Sequence, residues 1–294
     1  MFSCYLENEY GDKLKLTGNV NYTGVEIDGL SPAPATIGKK NYSLFDGAKI
    51  TSRKTNEKPI TITFYIDKDV EKSRIAIYKV VQPSELVRLY YKNGTRNVYI
   101  DGVVETIDID YYTIKQFVTI SILCQDPFFR DANSHIEDIN KVVNLFEFPF
   151  SIEKKGIEFG TYEDVKEISL ENSGDISTGM QIEIHATGTV RNPIITNVVD
   201  KTYFKLNYTL NAGDILCIST YKGRKKVEVF KNGKYENIFN NIAEGSTWLK
   251  LAVGTNIYMY DADADDEKYM IVKFIYQNLY RGVWYERNIF DYFK

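Results

Sequence analysis

The sequence predicts a mainly β protein with two domains and one short helix. Short runs of alternating apolar and polar residues recur along most of the chain, separated by Gly, Asn, Asp and Pro. One stretch near residue 70 changes to the spacing of an amphipathic helix. The length of 294 residues exceeds what one small core requires, so we expect two domains.

The first β series contains strands near residues 14–16, 25–27, 48–50 and 59–66. In the last of these, Ile60, Ile62, Phe64 and Ile66 share one face, because strand side chains alternate with a period of two. This pattern predicts a half-buried strand. The prolines and glycine of residues 31–38 predict a long exposed loop between strands.

A helix is predicted over residues 68–81, where Val70 and Ile77 fall on one helical face. Asp67 or Asp69 can supply its N-cap, and Pro83 lies just beyond its end.

Two hairpins follow the helix. The first joins residues 87–91 to 96–100 through Asn93 and Gly94, a pair that tolerates the positive φ angles of a tight turn. The second joins residues 103–109 to 115–124.

The second hairpin ends in an unusual strand exit, Asp126-Pro127-Phe128-Phe129. Pro127 lacks an amide hydrogen and disfavours helical geometry at Asp126, so the strand must stop there or become an unpaired edge. We expect Phe128 and Phe129 to be buried, and Arg130 and Asp131 to stay in water, available to pair with each other or with a neighbour. An active-site rim, a domain hinge and an assembly contact are the three interpretations that the motif alone leaves open.

Alternation weakens over residues 132–170, which we interpret as a connector between a first domain at 1–131 and a second at 171–294. A second β series then indicates a β-sandwich or jelly roll. Its strands are expected at residues 180–186, 193–198, 203–208, 214–219, 226–229, 246–253, 256–260 and 269–276.

The composition offers little to catalysis. The chain has two histidines, and no nucleophile elbow, zinc-protease motif, phosphate loop or dinucleotide fingerprint is present. Three widely spaced cysteines indicate neither a disulfide framework nor a zinc site. The net charge of -4 disfavours a nucleic-acid-binding protein. No basic, apolar leader precedes the first strand, so we expect a protein made and folded in a cytoplasm.

The acidic stretch containing Asp261, Asp263 and Asp265 is a weak candidate for a cation site, since alternate carboxylates can converge on Ca²⁺. It departs from the EF-hand pattern, because Asp266 stands where the turn glycine belongs and Val272 where the bidentate glutamate belongs. A solvated loop between two strands is the alternative.

Two ordered sets of motifs resemble the distal tail protein family (Dit), a siphophage tail component. The strand exit at residues 124–131 resembles the family's Cys-Pro-Asp-Pro-aromatic-aromatic motif, with Gln125 in place of the first proline. The second set follows in the family's order at residues 174–179, 182–193, 211–214, 231–233 and 253–256. Together they span nearly the whole chain.

The resemblance implies a structural hub protein of the tail tip or baseplate, without enzymatic activity or cofactor. It implies a homo-hexameric ring built by residues 1–131, a β-sandwich or split barrel resembling tail tube proteins, with a galectin-like β-sandwich at residues 171–294. The implied partners are the tail tube protein, the tail-associated tip protein and a receptor-binding protein, with no membrane. The implied location is the virion tail tip, after assembly in the bacterial host cytoplasm. DNA is expected to pass through the lumen without specific binding.

Two other functions are weighed against this one. A carbohydrate-binding module contacting the host cell wall would use an aromatic platform, for which Trp248 is the candidate. Its Trp-Leu-Lys-Leu context favours a packed aromatic instead. A wall hydrolase needs only two carboxylates beside a cleft, which a chain with 40 acidic residues does not specify.

Overall fold

The computed structural model describes residues 2–42, 46–138, 142–143, 161–162 and 167–283. Most of the expected connector and residues 284–294 lie outside this description. Within it the protein is mainly β with one α-helix, as predicted. None of the described helices has the length and apolar character needed to cross a membrane.

In chain order, the elements are β1 (Ser3–Asn8), β2 (Lys13–Lys15), β3 (Tyr22–Asp28), β4 (Ala35–Asn41), β5 (Ala48–Thr55), β6 (Lys58–Ile66), α1 (Val70–Val80), β7 (Leu86–Lys92), β8 (Asn97–Ile109), β9 (Gln116–Cys124), β10 (Phe129–Asp131), β11 (His135–Asp138), β12 (Val142–Val143), β13 (Thr161–Tyr162), β14 (Glu167–Asn172), β15 (Met180–Ala186), β16 (Val190–Asn197), β17 (Thr202–Lys205), β18 (Thr209–Leu210), β19 (Ile215–Ser219), β20 (Lys226–Lys231), β21 (Lys234–Asn237), β22 (Gly254–Asp263), β23 (Met270–Tyr276) and β24 (Leu279–Tyr280). Short 3-10 helices cover Phe239–Asn241 and Asp266–Tyr269.

The chain divides into two compact units. Unit 1 contains Met1–Asn133 and Leu279–Lys294, and unit 2 contains Ser134–Asn278. Three segments therefore differ from the expected layout. Within the expected connector, β11 and most of β14 are strands of unit 2 sheets. β24, expected in the second domain, pairs with β10 in unit 1.

Unit 1 is built on a nine-stranded sheet, in which seven strands have the order β2-β1-β7-β8-β9-β6-β3, β10 pairs with β8, and β24 pairs with β10. The alternation in β6 acts as predicted, because Ile60, Ile62, Phe64 and Ile66 are all buried in one core. The strands expected at 96–100 and 103–109 are one continuous strand, β8, which pairs with both β7 and β9.

Helix α1 packs Ile77 and Val80 into this core. Asp69 occupies the N-cap position as expected, but its backbone is left-handed and its side chain makes no capping hydrogen bond. Ser73 takes part in the helix start instead, since its hydroxyl donates to the carbonyl of Lys68 at 3.0 Å.

The turn at Asn93-Gly94 differs from the predicted tight turn, because neither residue has a positive φ angle. The Asn93 side-chain oxygen accepts hydrogen bonds from the amides of Thr95 and Arg96 at 3.0 and 2.8 Å, so an Asx-type turn closes the hairpin. A positive φ pair does occur at Asn232-Gly233, which joins β20 to β21.

Unit 2 has two main sheets around a single core, and β12 and β13 form a separate two-stranded sheet. One sheet has the order β11-β23-β15-β19-β20-β21, and the other has β14-β22-β16-β17, with β18 beside β16. The prediction of a strand at 246–253 is wrong, since this segment is irregular and forms only an isolated bridge, between Leu251 and Thr178. Leu249 and Leu251 are buried there outside any strand, which explains the misleading alternation.

Candidate functional site

The strand exit at Asp126–Phe129 joins two strands of unit 1. β9 ends at Cys124, Pro127 is buried, and β10 begins at Phe129. Phe129 is fully buried, whereas Phe128 is only partly so, which corrects the expectation that both rings are hidden. Arg130 is half-buried rather than fully solvated, and donates to the carboxylate of Asp126 at 2.5 Å.

A buried lysine lies on the Phe129 ring. The Lys58 ammonium is 4.5 Å from the ring centroid and donates to the carbonyls of Ser31 and Arg281 at 2.8 and 3.0 Å. Lys58 is 1% exposed, and burial lowers the pKa of its amine to about 8. The alternation of β6 would have found it, because Lys58 has the same parity as Ile60 and Ile62 and is therefore directed inward.

The segment 279–283 lies beside Lys58 and contacts the same part of unit 1. β24 pairs with β10, with Phe129 opposite Tyr280. The Arg96 guanidinium lies 4.0 Å from the Tyr280 ring centroid and donates to the carbonyl of Gly282 at 3.1 Å. The amide of Val283 donates to the carbonyl of Leu30 at 2.9 Å. We call the set formed by Lys58, residues 126–130 and residues 279–283 the clasp.

The clasp contains no catalytic arrangement among the described residues. Its nearest nucleophile is Cys124, which pairs in register with Lys58. Burial raises the pKa of the Cys124 thiol to about 12, so the thiolate needed for reaction is scarce at neutral pH. The geometry therefore favours the structural interpretations of the motif over an active-site rim.

The hairpin β4–β5 is a separate two-stranded sheet, and nearly all of its residues are exposed. Its first strand begins at Ala35, so the predicted loop at residues 31–38 is half strand. Five cations lie on it: Lys39, Lys40, Lys49, Arg53 and Lys54. None of the five forms an ion pair with a described residue, and Lys40 stands directly opposite Lys49.

The outer face of β3, β6, β8 and β9 has the opposite charge. One cross-strand row contains Glu26, Thr63, Thr119 and Asp108, and the next contains Asp28, Thr61, Ser121 and Thr106. The three carboxylates are exposed. These two rows carry hydroxyls and acids and no lysine or arginine. We call them the acidic face.

The acidic loop in unit 2 is braced by cations and amides. The Asp263 carboxylate accepts a hydrogen bond from Asn192 at 2.6 Å and lies 3.5 Å from the Lys205 ammonium, and both interactions lower its pKa. Asp265 is exposed with a left-handed backbone, and Asp261 accepts from the amide of Ala262. In the part of the chain that the structure describes, no three metal-ligating side chains form a group that could hold an ion.

Trp248 lies close to two aromatic rings and one lysine. Its ring centroid lies 5.0 Å from that of Phe204 and 5.8 Å from that of Phe239, and the Lys225 ammonium lies 4.9 Å from the same ring. Trp248 is half-buried. The arrangement accords with the packed interpretation of its sequence context.

The two histidines lie in unit 2. His185 Nε2 is 3.4 Å from a carboxylate oxygen of Glu183, and the His135 ring stacks on Tyr276 with 5.2 Å between centroids. All three cysteines are free thiols.

The comparisons with known proteins agree with the predicted resemblance. Residues 173–280 match the model of the siphovirus-type tail component, C-terminal domain. The fold is similar to the crystal structure of the Dit (gp 19.1) protein of phage SPP1, described as a paradigm of the hub adsorption apparatus in phages that infect Gram-positive bacteria. That match has a TM-score of 0.65 and 14% identity, and it covers 95% of this chain and 99% of the other.

A second similar structure comes from the baseplate of phage P2 in its activated conformation with Ca. It matches with a TM-score of 0.51 and 10% identity, over 96% of this chain and 100% of the other. No curated protein matches the sequence significantly. At these identities the two structural matches establish the fold alone.

Proposed function

We propose that the chain is a structural hub of a phage tail tip or baseplate, because residues 173–280 match the model of the siphovirus-type tail component, C-terminal domain. In this proposal six copies form a ring through unit 1, and the ring joins the tail tube protein to the tail-associated tip protein. Unit 2, as a galectin-like sandwich on the outer side, supports a receptor-binding protein. The protein is assembled in the host cytoplasm and resides in the virion.

The exposed hairpin β4–β5 is the observation that carries the ring. An isolated two-stranded hairpin is marginally stable in water, and like charges directly opposite each other weaken it further. Because the Lys40–Lys49 pair and the other hairpin cations have no ion-pair partner among the described residues, an anionic surface outside the hairpin would stabilise it. A neighbouring copy supplies such a surface in a ring, where closed symmetry gives every hairpin the same partner.

Other exposed features of unit 1 agree with assembly. The tip between β8 and β9 exposes Tyr112 and Ile114 almost completely, at 99% and 98%. The terminal strands of the main sheet, β2 and β3, leave pairing edges, and a closed ring removes the hazard of an exposed edge.

The acidic face supports a lumen that DNA crosses without binding. Carboxylates repel phosphates, and the hydroxyl rows between them provide no cation that could hold a phosphate. In the proposed ring this face lines the channel. A ring whose channel is lined by lysine and arginine would contradict this part of the proposal.

The mass of the assembled protein tests the ring. We expect light scattering on the purified chain to give about six times the protomer mass of 33.9 kDa. The double variant Lys40→Glu, Lys49→Glu should shift the mass toward the monomer, because it removes the positive charge presented to the neighbour. Lys222→Glu, an equally exposed charge reversal in unit 2, is the matched control and should assemble normally.

A wild-type chain that stays monomeric at high concentration would overturn the ring. A double variant that assembles like the wild type would leave the ring intact but remove the hairpin from its interface.

A further inference from the structure

The outer face of one sheet in unit 2 contains a cavity of about 450 Å³. Two cross-strand rows of β15, β19 and β20 form its floor: Gln181, Ser219 and Lys226 in one row, and Glu183, Cys217 and Glu228 in the next. Tyr235 of β21 stands at its rim. The hairpin and the acidic face of unit 1 have no part in it.

The polar floor is held in place by its own hydrogen bonds. Gln181 Nε2 donates to one oxygen of Glu183 at 2.7 Å, and Lys226 Nζ donates to one oxygen of Glu228 at 2.7 Å. The side chains of Glu183 and Glu228 are only 23% and 24% exposed. Each carboxylate keeps further acceptor positions, so two oriented acceptors flank the floor before any ligand arrives.

An apolar row borders the polar ones. Tyr235 lies opposite Phe230 in register, and their ring centroids are 4.9 Å apart. On the next strand, Ile215 pairs with Phe230. Tyr235 is 66% exposed even though its neighbour Phe230 supports it, so its outer face is available to a ligand.

We infer that this cavity binds a carbohydrate, in the form of a neutral saccharide of one or two rings. Sugar hydroxyls donate to carboxylates and accept from amide or ammonium groups, while the C–H face of a pyranose packs on an aromatic ring. The cavity offers these two kinds of surface side by side, at a volume within the range of small-ligand sites.

Other ligand classes fit less well. Two carboxylates against one lysine disfavour an anion. A metal ion lacks a suitable group of three ligands among the described residues. A protein partner would bind a flat or apolar surface with a buried aromatic anchor, whereas this floor is concave and charged.

The inferred site differs from the aromatic platform expected at Trp248. Packing by Phe204, Phe239 and Lys225 occupies the surroundings of Trp248, while Tyr235 keeps an open face. A sequence pattern does not reveal Tyr235, because the site is assembled from four separate strands of one sheet.

Saturation-transfer NMR on the full-length protein tests the inference. The probes are glucose, galactose and N-acetylglucosamine with their disaccharides cellobiose, lactose and N,N′-diacetylchitobiose. We expect signal from at least one of them, and calorimetry should show about tenfold weaker binding in Tyr235→Ala and in Glu228→Gln. Tyr235→Phe keeps the ring and should retain most of the affinity. Tyr10→Ala removes an exposed tyrosine of unit 1 and should change neither saccharide binding nor assembly.

The inference would be overturned if no probe binds at about 10 mM, a concentration on the order of the weakest dissociation constant that can still be measured. Binding that survives Tyr235→Ala, or binding lost only in Trp248→Phe, would also overturn it. A purified tail protein that binds this face when no saccharide does would replace the carbohydrate by a protein ligand. Light scattering on each variant separates these results from ring assembly, which should stay normal throughout.

Discussion

Lys58 illustrates how a single buried charge can organise a structure. Its ammonium group donates hydrogen bonds to two carbonyls from distant parts of the chain and lies over one aromatic ring. Burial lowers the pKa of the amine to about 8. A buried lysine without a carboxylate partner is costly, so its retention requires the hydrogen bonds that it donates.

Lys58→Met should destabilise unit 1 at pH 7. Methionine replaces the apolar stem, but two hydrogen bonds of about 1 kcal/mol each are lost. The pKa of Lys58 is lower in the folded protein than in the unfolded chain, so the unfolded chain binds the proton more tightly. The unfolding free energy of the wild type therefore rises as the pH increases from about 8 towards the ordinary pKa of lysine. The difference in unfolding free energy between wild type and variant should therefore widen from pH 7 to pH 9, as measured by urea unfolding. A difference that narrows or stays constant would show that the amine is not perturbed by burial.

Phe129 and Phe128 should respond differently to truncation. Phe129→Ala removes a fully buried ring and should cost about 3 kcal/mol or more of unfolding free energy. Phe128→Ala is the matched control at the adjacent position, and its partial exposure predicts a smaller loss. Urea denaturation of both variants measures the two costs, and equal losses would refute the assignment of Phe129 as the anchor of the clasp.

At the scale of elements, alternation predicted the strands that have one buried face. β6, β9, β15 and β23 lie where period-two patterns placed them, because burial on one side imposes that pattern. Alternation misled where burial occurs outside a sheet. Leu249 and Leu251 alternate and are buried, but their segment is not part of either sheet.

The hairpin β4–β5 and the helix show two further limits. The hairpin lacks alternation because both of its faces are exposed, so the sequence predicted only residues 48–50 of β5 and took the start of β4 for a loop. The spacing of apolar residues predicted the helix, but the sequence did not predict how its first turn is capped. Asp69 adopts a left-handed backbone and its side chain makes no capping hydrogen bond. Turn type was equally hidden at Asn93, where the side chain rather than positive φ angles closes the turn.

At the scale of the whole molecule, no local pattern could locate the end of unit 1. β24 is two residues long and lies beyond the last strand of unit 2, so proximity in sequence assigned it to the wrong domain. It pairs with Phe129 and Arg130, and all of unit 2 lies between the two strands in the sequence. Only the tertiary structure specifies this pairing. The same holds for the candidate sites: the Phe129 motif was visible in sequence, whereas Lys58, the acidic face and the saccharide cavity are formed across strands.

A chain truncated after Asn278 should lose stability in unit 1 and keep it in unit 2. The truncation removes β24 and the carbonyls of Arg281 and Gly282 to which Lys58 and Arg96 donate. Hydrogen exchange should accelerate in β8 and β10 but remain slow in β15. Truncation after Val283 retains the clasp and is the control. Acceleration of equal size in both units would mean that they do not unfold independently.

The antiparallel pairing of β10 with β24 places the two connections to unit 2 side by side. Arg130 precedes the end of the first part of unit 1, at Asn133, by three residues, and it lies about one strand spacing, roughly 5 Å, from Leu279, where the chain re-enters unit 1. Unit 2 is thus inserted in the sequence of unit 1 between two neighbouring strands. A foreign domain whose own termini lie that close together could be exchanged for unit 2 without altering the main sheet of unit 1.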